Sequence, residues 1–72
     1  MKVFVSVVPT YDEIMGVGST EQEAILVASR KACEYLHDTG HVRDYTDTPE
    51  KVAEYFGVFA TEIEVGEATF VR

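Results

Sequence analysis

The stretch Gly18-Ser19-Thr20-Glu21-Gln22-Glu23-Ala24-Ile25-Leu26 decides the fold. Ser19 and Thr20 are both good N-caps, and Thr20 with Glu23 three residues later forms a capping box directly before an apolar run. A helix therefore starts at about Glu21. No Gly or Pro interrupts it before Gly40, which supplies the left-handed position beyond a helix end, so the helix is predicted over Glu21 to Asp38. At 100° per residue, Ala24, Tyr35, Ala28, Ala32, Ile25 and Leu36 share an arc of about 120°, a normal core-facing stripe. Leu26 and Cys33 widen that arc by about 80°, more than one sheet requires, while Val27 falls among charged side chains and is expected to be exposed.

Upstream of this helix, Val3, Val5 and Val7 alternate with Phe4, Ser6 and Val8, a strand apolar on both faces that reads as central in its sheet. Pro9-Thr10-Tyr11-Asp12-Glu13 is turn chemistry, and Ile14-Met15-Gly16-Val17 resumes a short strand, which makes a hairpin. Downstream, His41 to Asp47 is a polar loop. Thr48-Pro49-Glu50 reads as an N-cap with Pro at the first helical position and an acid in the first turn. A two-turn helix follows, with Val52, Ala53, Tyr55 and Phe56 expected inward and Gly57 as its stop. Phe59, Thr61, Ile63 and Val65 then alternate with Ala60, Glu62 and Glu64, predicting a strand with one buried and one solvated face. Gly66-Glu67 suggests a tight turn into a last short strand over 68–71. The preference for right-handed crossovers and the doubly apolar first strand favour an α+β domain spanning residues 1–72. Its sheet is expected to be largely antiparallel with three or four strands in the order 2-1-3, carrying the long helix on one face and a second, short helix.

The 72 residues fit one small domain, and 46% hydrophobic with 26% charged residues is a globular composition. Six basic against 13 acidic side chains give a net charge of −7, which opposes direct binding to nucleic acid or to an anionic membrane. The early apolar run stops at Pro9, too short for a signal sequence or a membrane span, so the mature chain is expected to start at Met1. A lone cysteine points to a cytoplasmic setting.

Cys33, His37 and His41 recur every four residues, a spacing that could align soft metal ligands on one helical face. Gly40 ends the helix before His41, and no fourth ligand stands at a recognised spacing, so no metal or other cofactor is assigned. Cys33 and His37 lack an orienting third group and an oxyanion site, so no catalytic residue is assigned either, and the chain is not read as an enzyme. Gly16-x-Gly18 ahead of the helix superficially suggests an anion site, but Glu21 and Glu23 already occupy that positive end.

Charge is the more informative feature. Asp44, Asp47, Glu50, Glu54, Glu62, Glu64 and Glu67 stand against Lys51 alone, a local charge of −6 in 24 residues. Such a segment either keeps a small protein soluble or meets a basic partner. The stretch Ile14-Met15-Gly16-Val17-Gly18-Ser19-Thr20-Glu21-Gln22-Glu23-Ala24 resembles the strand, turn and capped-helix element of short acidic phage and mobile-element proteins of anti-CRISPR-like build. It is also similar to the corresponding part of the HicB antitoxin family, whose Gly- and Pro-rich second strand has no counterpart here. The likeness spans residues 3 to 36, carries over no functional residue, and implies a small phage-encoded inhibitor of a host protein. The leading expectation is thus a non-enzymatic binding protein whose seven acids contact a basic host protein, itself a candidate nucleic-acid-binding defence factor. The alternative is a structural module that forms a homodimer through Leu26 and Cys33 and a second apolar sheet face at Phe4 and Val8.

Overall fold

A computed structural model describes residues 1–10 and 12–66. The elements run β1 (Lys2–Pro9), β2 (Glu13–Gly18), α1 (Glu21–Asp38), α2 (Pro49–Phe56) and β3 (Ala60–Glu64). The sheet is antiparallel throughout in the order β2-β1-β3, with α1 across one face and α2 packed on α1, an α+β architecture. The expected strand at 68–71 and Glu67 lie outside the described residues.

The α1 start follows from its capping box. Thr20 accepts from the Glu23 amide at 3.1 Å, and the Glu23 carboxylate reaches back to the Ser19 amide at 2.7 Å. At the other end Gly40 takes φ +74°, which turns the chain so that the His41 amide reaches the Leu36 carbonyl at 2.9 Å. α2 is capped by Thr48, which accepts from the Lys51 amide at 3.3 Å, and closes on Gly57 at φ +62°.

Two glycines choose which sheet face the helix covers. A Cβ on Gly16 would stand 2.5 Å from the Ala28 amide nitrogen and 2.8 Å from the Ala24 carbonyl oxygen, and one on Gly18 would stand 2.6 Å from the Ala24 nitrogen. Only bare backbone on β2, facing alanines on α1, permits so close an approach. Gly16 pairs with Ser6 and Ile14 with Val8, so the helix side of β1 is Phe4, Ser6 and Val8, and the buried core gathers Val8, Ala28, Ala32, Cys33, Leu36 and Val52. The expected second apolar face at Phe4 and Val8 is thereby corrected. Those residues lie beneath α1, and the outer face carries Val3, Val5 and Val7 instead.

The β3 expectation is corrected for the same reason. The register Phe4↔Glu62 and Val3↔Ile63 turns Thr61 and Ile63 to the outer face and Ala60, Glu62 and Glu64 to the helix side. Val65 and Phe59 are exposed, not buried. On α2, Val52 is fully buried but Tyr55 is exposed, contrary to its expected inward placement, because its ring stacks on Tyr45 of the preceding loop. The wide apolar arc of α1 is explained by α2, which lies against it and against β1, so one helix serves two neighbours.

Gly16→Ala should lower stability by about 3 kcal/mol, the upper part of the overpacking range, because its new methyl meets backbone atoms. Gly40→Ala should cost about 1 kcal/mol, from left-handed backbone strain alone. Urea unfolding midpoints of the two variants would test this order.

Candidate functional site

The loop between the helices is held by a tight turn at residues 43–46. The Arg43 amide donates to Thr46 Oγ1 at 2.9 Å, and the Thr46 amide donates to the Arg43 carbonyl at 3.0 Å. Thr46 is buried, so Asp44 and Tyr45 stand at the outer corner of a fixed turn. Tyr45 stacks on Tyr55 with ring centroids 4.6 Å apart, and Phe56 meets Tyr55 edge-on at 5.0 Å. The two stacked tyrosines remain 52% and 57% exposed, an open aromatic platform.

Charged groups surround this platform. Asp44, Tyr45, Lys51, Glu54 and Tyr55 line a shallow groove of about 560 Å³. Lys51 is held within the chain: its ammonium pairs with Asp47 at 2.9 Å and donates to the Asp44 carbonyl at 3.1 Å. The Lys51 hydrogen bond holds the Asp47 carboxyl below the usual carboxylate range, and Asp47 in turn raises the Lys51 ammonium. Among the described residues no cation pairs with the carboxylates of Asp44, Glu50 or Glu54. Behind the tyrosines lies a second cleft of about 370 Å³, bordered by Arg43, His41 and Leu36.

The other acids lie elsewhere. Glu62 pairs with Lys2 at 3.1 Å and Glu64 with the Met1 amine at 2.9 Å, along the outer strand of the sheet. α2 and β3 make no contact, so the acidic segment that is continuous in sequence becomes two separate surfaces in space. The structure brings together Asp44, Asp47, Glu50 and Glu54 on the loop and α2, and leaves Glu62 and Glu64 apart from them; Glu67 is not described. Sequence reasoning missed Tyr45 and Tyr55. An inward assignment of Tyr55 on a helical wheel hid their pairing, although two tyrosines interleaved with Asp44 and Glu54 were legible as an aromatic and acidic pattern.

Cys33 is only 6% exposed and its thiol donates to the Thr46 carbonyl at 3.7 Å. Burial, then the charges of Asp47 and Glu50, push the thiol pKa up, away from nucleophilic behaviour. His37 Nε2 stands 3.4 Å from the Asp47 carbonyl, directed at the loop. Among the described residues, no three His, Cys, Asp or Glu side chains are placed to hold one metal ion. Leu26 is 41% exposed and borders Pro49 and Ala53 of α2, whereas Cys33 is buried against the loop, so the two do not form one exposed contact. No helix among the described residues is long and apolar enough to cross a membrane. No known protein family, curated protein or solved structure matches the chain.

Asp47 is depressed and Lys51 raised, so their pair stabilises the fold between the ordinary carboxylate and ammonium pKa values, about 3.9 and about 10.4. The contribution is lost as pH falls from the lower value through the folded pKa of Asp47, and as pH rises from the upper value through that of Lys51. Asp47→Asn should therefore lower the Tm at neutral pH, with the difference from wild type closing in strong acid, as thermal melts across pH would reveal. Cys33 should react with an aromatic disulfide reagent far more slowly in the native protein than in urea; equal rates would contradict its enclosure.

Proposed function

We propose that the protein is a non-enzymatic binding protein whose groove at Asp44, Tyr45, Glu54 and Tyr55 receives Arg or Lys side chains of a basic protein partner. One observation carries this reading: two carboxylates without a cation partner among the described residues flank an exposed pair of stacked tyrosines. A guanidinium lies favourably over a tyrosine face while its N–H groups pair with a carboxylate beside the ring. The tight turn and the capped α2 hold these groups in place, so little ordering opposes binding. The charge of −7 draws a basic partner in and repels nucleic acid. Glu62 and Glu64, already satisfied within the chain, add to the field more than to the contact.

In its more specific form, the partner is a nucleic-acid-binding host protein and the chain is a phage-encoded inhibitor of it. Carboxylates set on a rigid turn and helix would occupy the sites that the partner's Lys and Arg offer to phosphates. The likeness of residues 3 to 36 to acidic phage proteins of anti-CRISPR-like build agrees with that form.

An arginine-rich DNA-binding domain carrying labelled duplex is a suitable probe. The protein should displace the duplex at about 0.05 M salt and lose most of that ability at about 0.5 M. Replacing Asp44 and Glu54 by Asn and Gln, or Tyr45 and Tyr55 by Ala, should weaken competition about 10-fold each, with a smaller effect for Glu62→Gln with Glu64→Gln. Competition indifferent to salt and to both groove variants would overturn the proposal.

A further inference from the structure

The cleft behind the stacked tyrosines differs in charge from the groove beside it. In a chain with 13 acidic residues, no carboxylate lines this cleft among the described residues, and Asp44 and Glu54 belong to the neighbouring groove instead. Its rim carries Arg43 and His41. Lys2, Lys31 and Lys51 each pair with a carboxylate, but Arg43 has no acidic partner among the described residues. One N–H of its guanidinium donates to the Val42 carbonyl at 3.1 Å, and no other protein acceptor meets the fork among the described residues. The backbone beneath it is fixed, since the Arg43 amide and carbonyl both bond within the turn closed by Thr46. Tyr45 and Tyr55 line this cleft as well as the groove, joined here by half-buried Phe56 and buried Leu36.

We infer that this cleft is a binding site for a small aromatic monocarboxylate. A guanidinium without a carboxylate of its own selects an oxyanion, and a planar carboxylate meets its fork with parallel N–H···O bonds. The aromatic walls select a ligand with a ring, because an anion the size of acetate leaves them in contact with water. The volume of about 370 Å³ lies near the lower end of small-molecule pockets, which suits one ring with a short acidic arm and excludes a dinucleotide. Net charge decides between carboxylate and phosphate. A field set by −7 opposes every unit of ligand charge, so one charge enters more easily than the ~2 of a phosphate monoester at neutral pH.

Cleft and groove share the two tyrosines but not their charged groups. The inference therefore does not rest on what the acidic groove binds.

Amide NMR shifts of the isotope-labelled protein, titrated with phenylacetate to about 20 mM at about 0.05 M salt, test the inference. Saturable shifts are expected at Arg43, Thr46 and Phe56, with half-saturation at about 1 mM, an affinity within reach of so few atoms. Acetate, which lacks the ring, benzylamine, which replaces the anion by a cation, and inorganic phosphate should each bind at least about 10-fold more weakly. Arg43→Gln should weaken phenylacetate binding at least about 10-fold with an unchanged circular dichroism spectrum, and Arg43→Lys should fall between it and the wild type. Asp44→Asn with Glu54→Gln should bind phenylacetate at least as tightly as the wild type, although the same variant impairs the acidic groove, so the two readings can fail separately. Absence of saturation, shifts centred away from the cleft, equal binding of any of the three control probes, or full binding by Arg43→Gln would overturn the inference. Should Arg43→Gln unfold, the comparison of phenylacetate with the control probes on the wild type decides the matter alone.

Discussion

Where β2 passes beneath α1, backbone meets backbone: Gly16 and Gly18 lie against Ala24 and Ala28 at distances that leave no room for even one added methyl. Everything else in the molecule follows from this contact. It presses the helix onto the sheet face that holds Ser6, at the expense of the face that holds three valines, because the helix takes the face it can approach most closely. Dispersion falls steeply with separation, so close backbone packing with a small apolar cluster outweighs a larger apolar surface held further away.

The same contact fixes the outer strand. Once Phe4 and Val8 lie under the helix, the β1–β3 register sends Glu62 and Glu64 to the helix side, where Lys2 and the Met1 amine meet them. The apolar residues of β3 join Val3, Val5 and Val7 on the outer face. A strand that looks amphipathic in the ordinary sense therefore has its polar side nearest the core layer and its apolar side, half-buried at Thr61 and Ile63, on the opposite face. That inversion is tolerable at an edge, where carboxylates reach water and cations.

The second helix has a different role. It covers the part of α1 around Cys33 and, through the 43–46 turn, presents Tyr45 and Tyr55 to solvent as a stacked pair. Aromatic exposure at this point is stabilised by ring stacking, while carboxylates on both sides keep the groove negative. Acids thus gather on the helix layer and along the outer strand, while Val3, Val5 and Val7 line the opposite sheet face, with Val5 buried and its two neighbours half-buried.

Much of the fold was legible residue by residue. The Thr20–Glu23 box, the stops at Gly40 and Gly57, the Thr48-Pro49 start and the doubly apolar first strand are local signals, set by backbone hydrogen bonding and conformational freedom within a few residues, and they led to the α+β architecture with sheet order 2-1-3. The acidic excess after residue 43 was equally plain, because composition needs no coordinates. Which face of β1 the helix would choose was not legible, since Val3, Val5 and Val7 advertise the wrong side and the decision rests on glycines in a different strand. Nor was the division of one acidic segment into two surfaces, or the meeting of Tyr45 with Tyr55. Local chemistry along the chain determined the elements and their ends; only tertiary packing decided their faces, because a face is chosen by how closely two elements can approach, a property of the pair and of neither sequence alone.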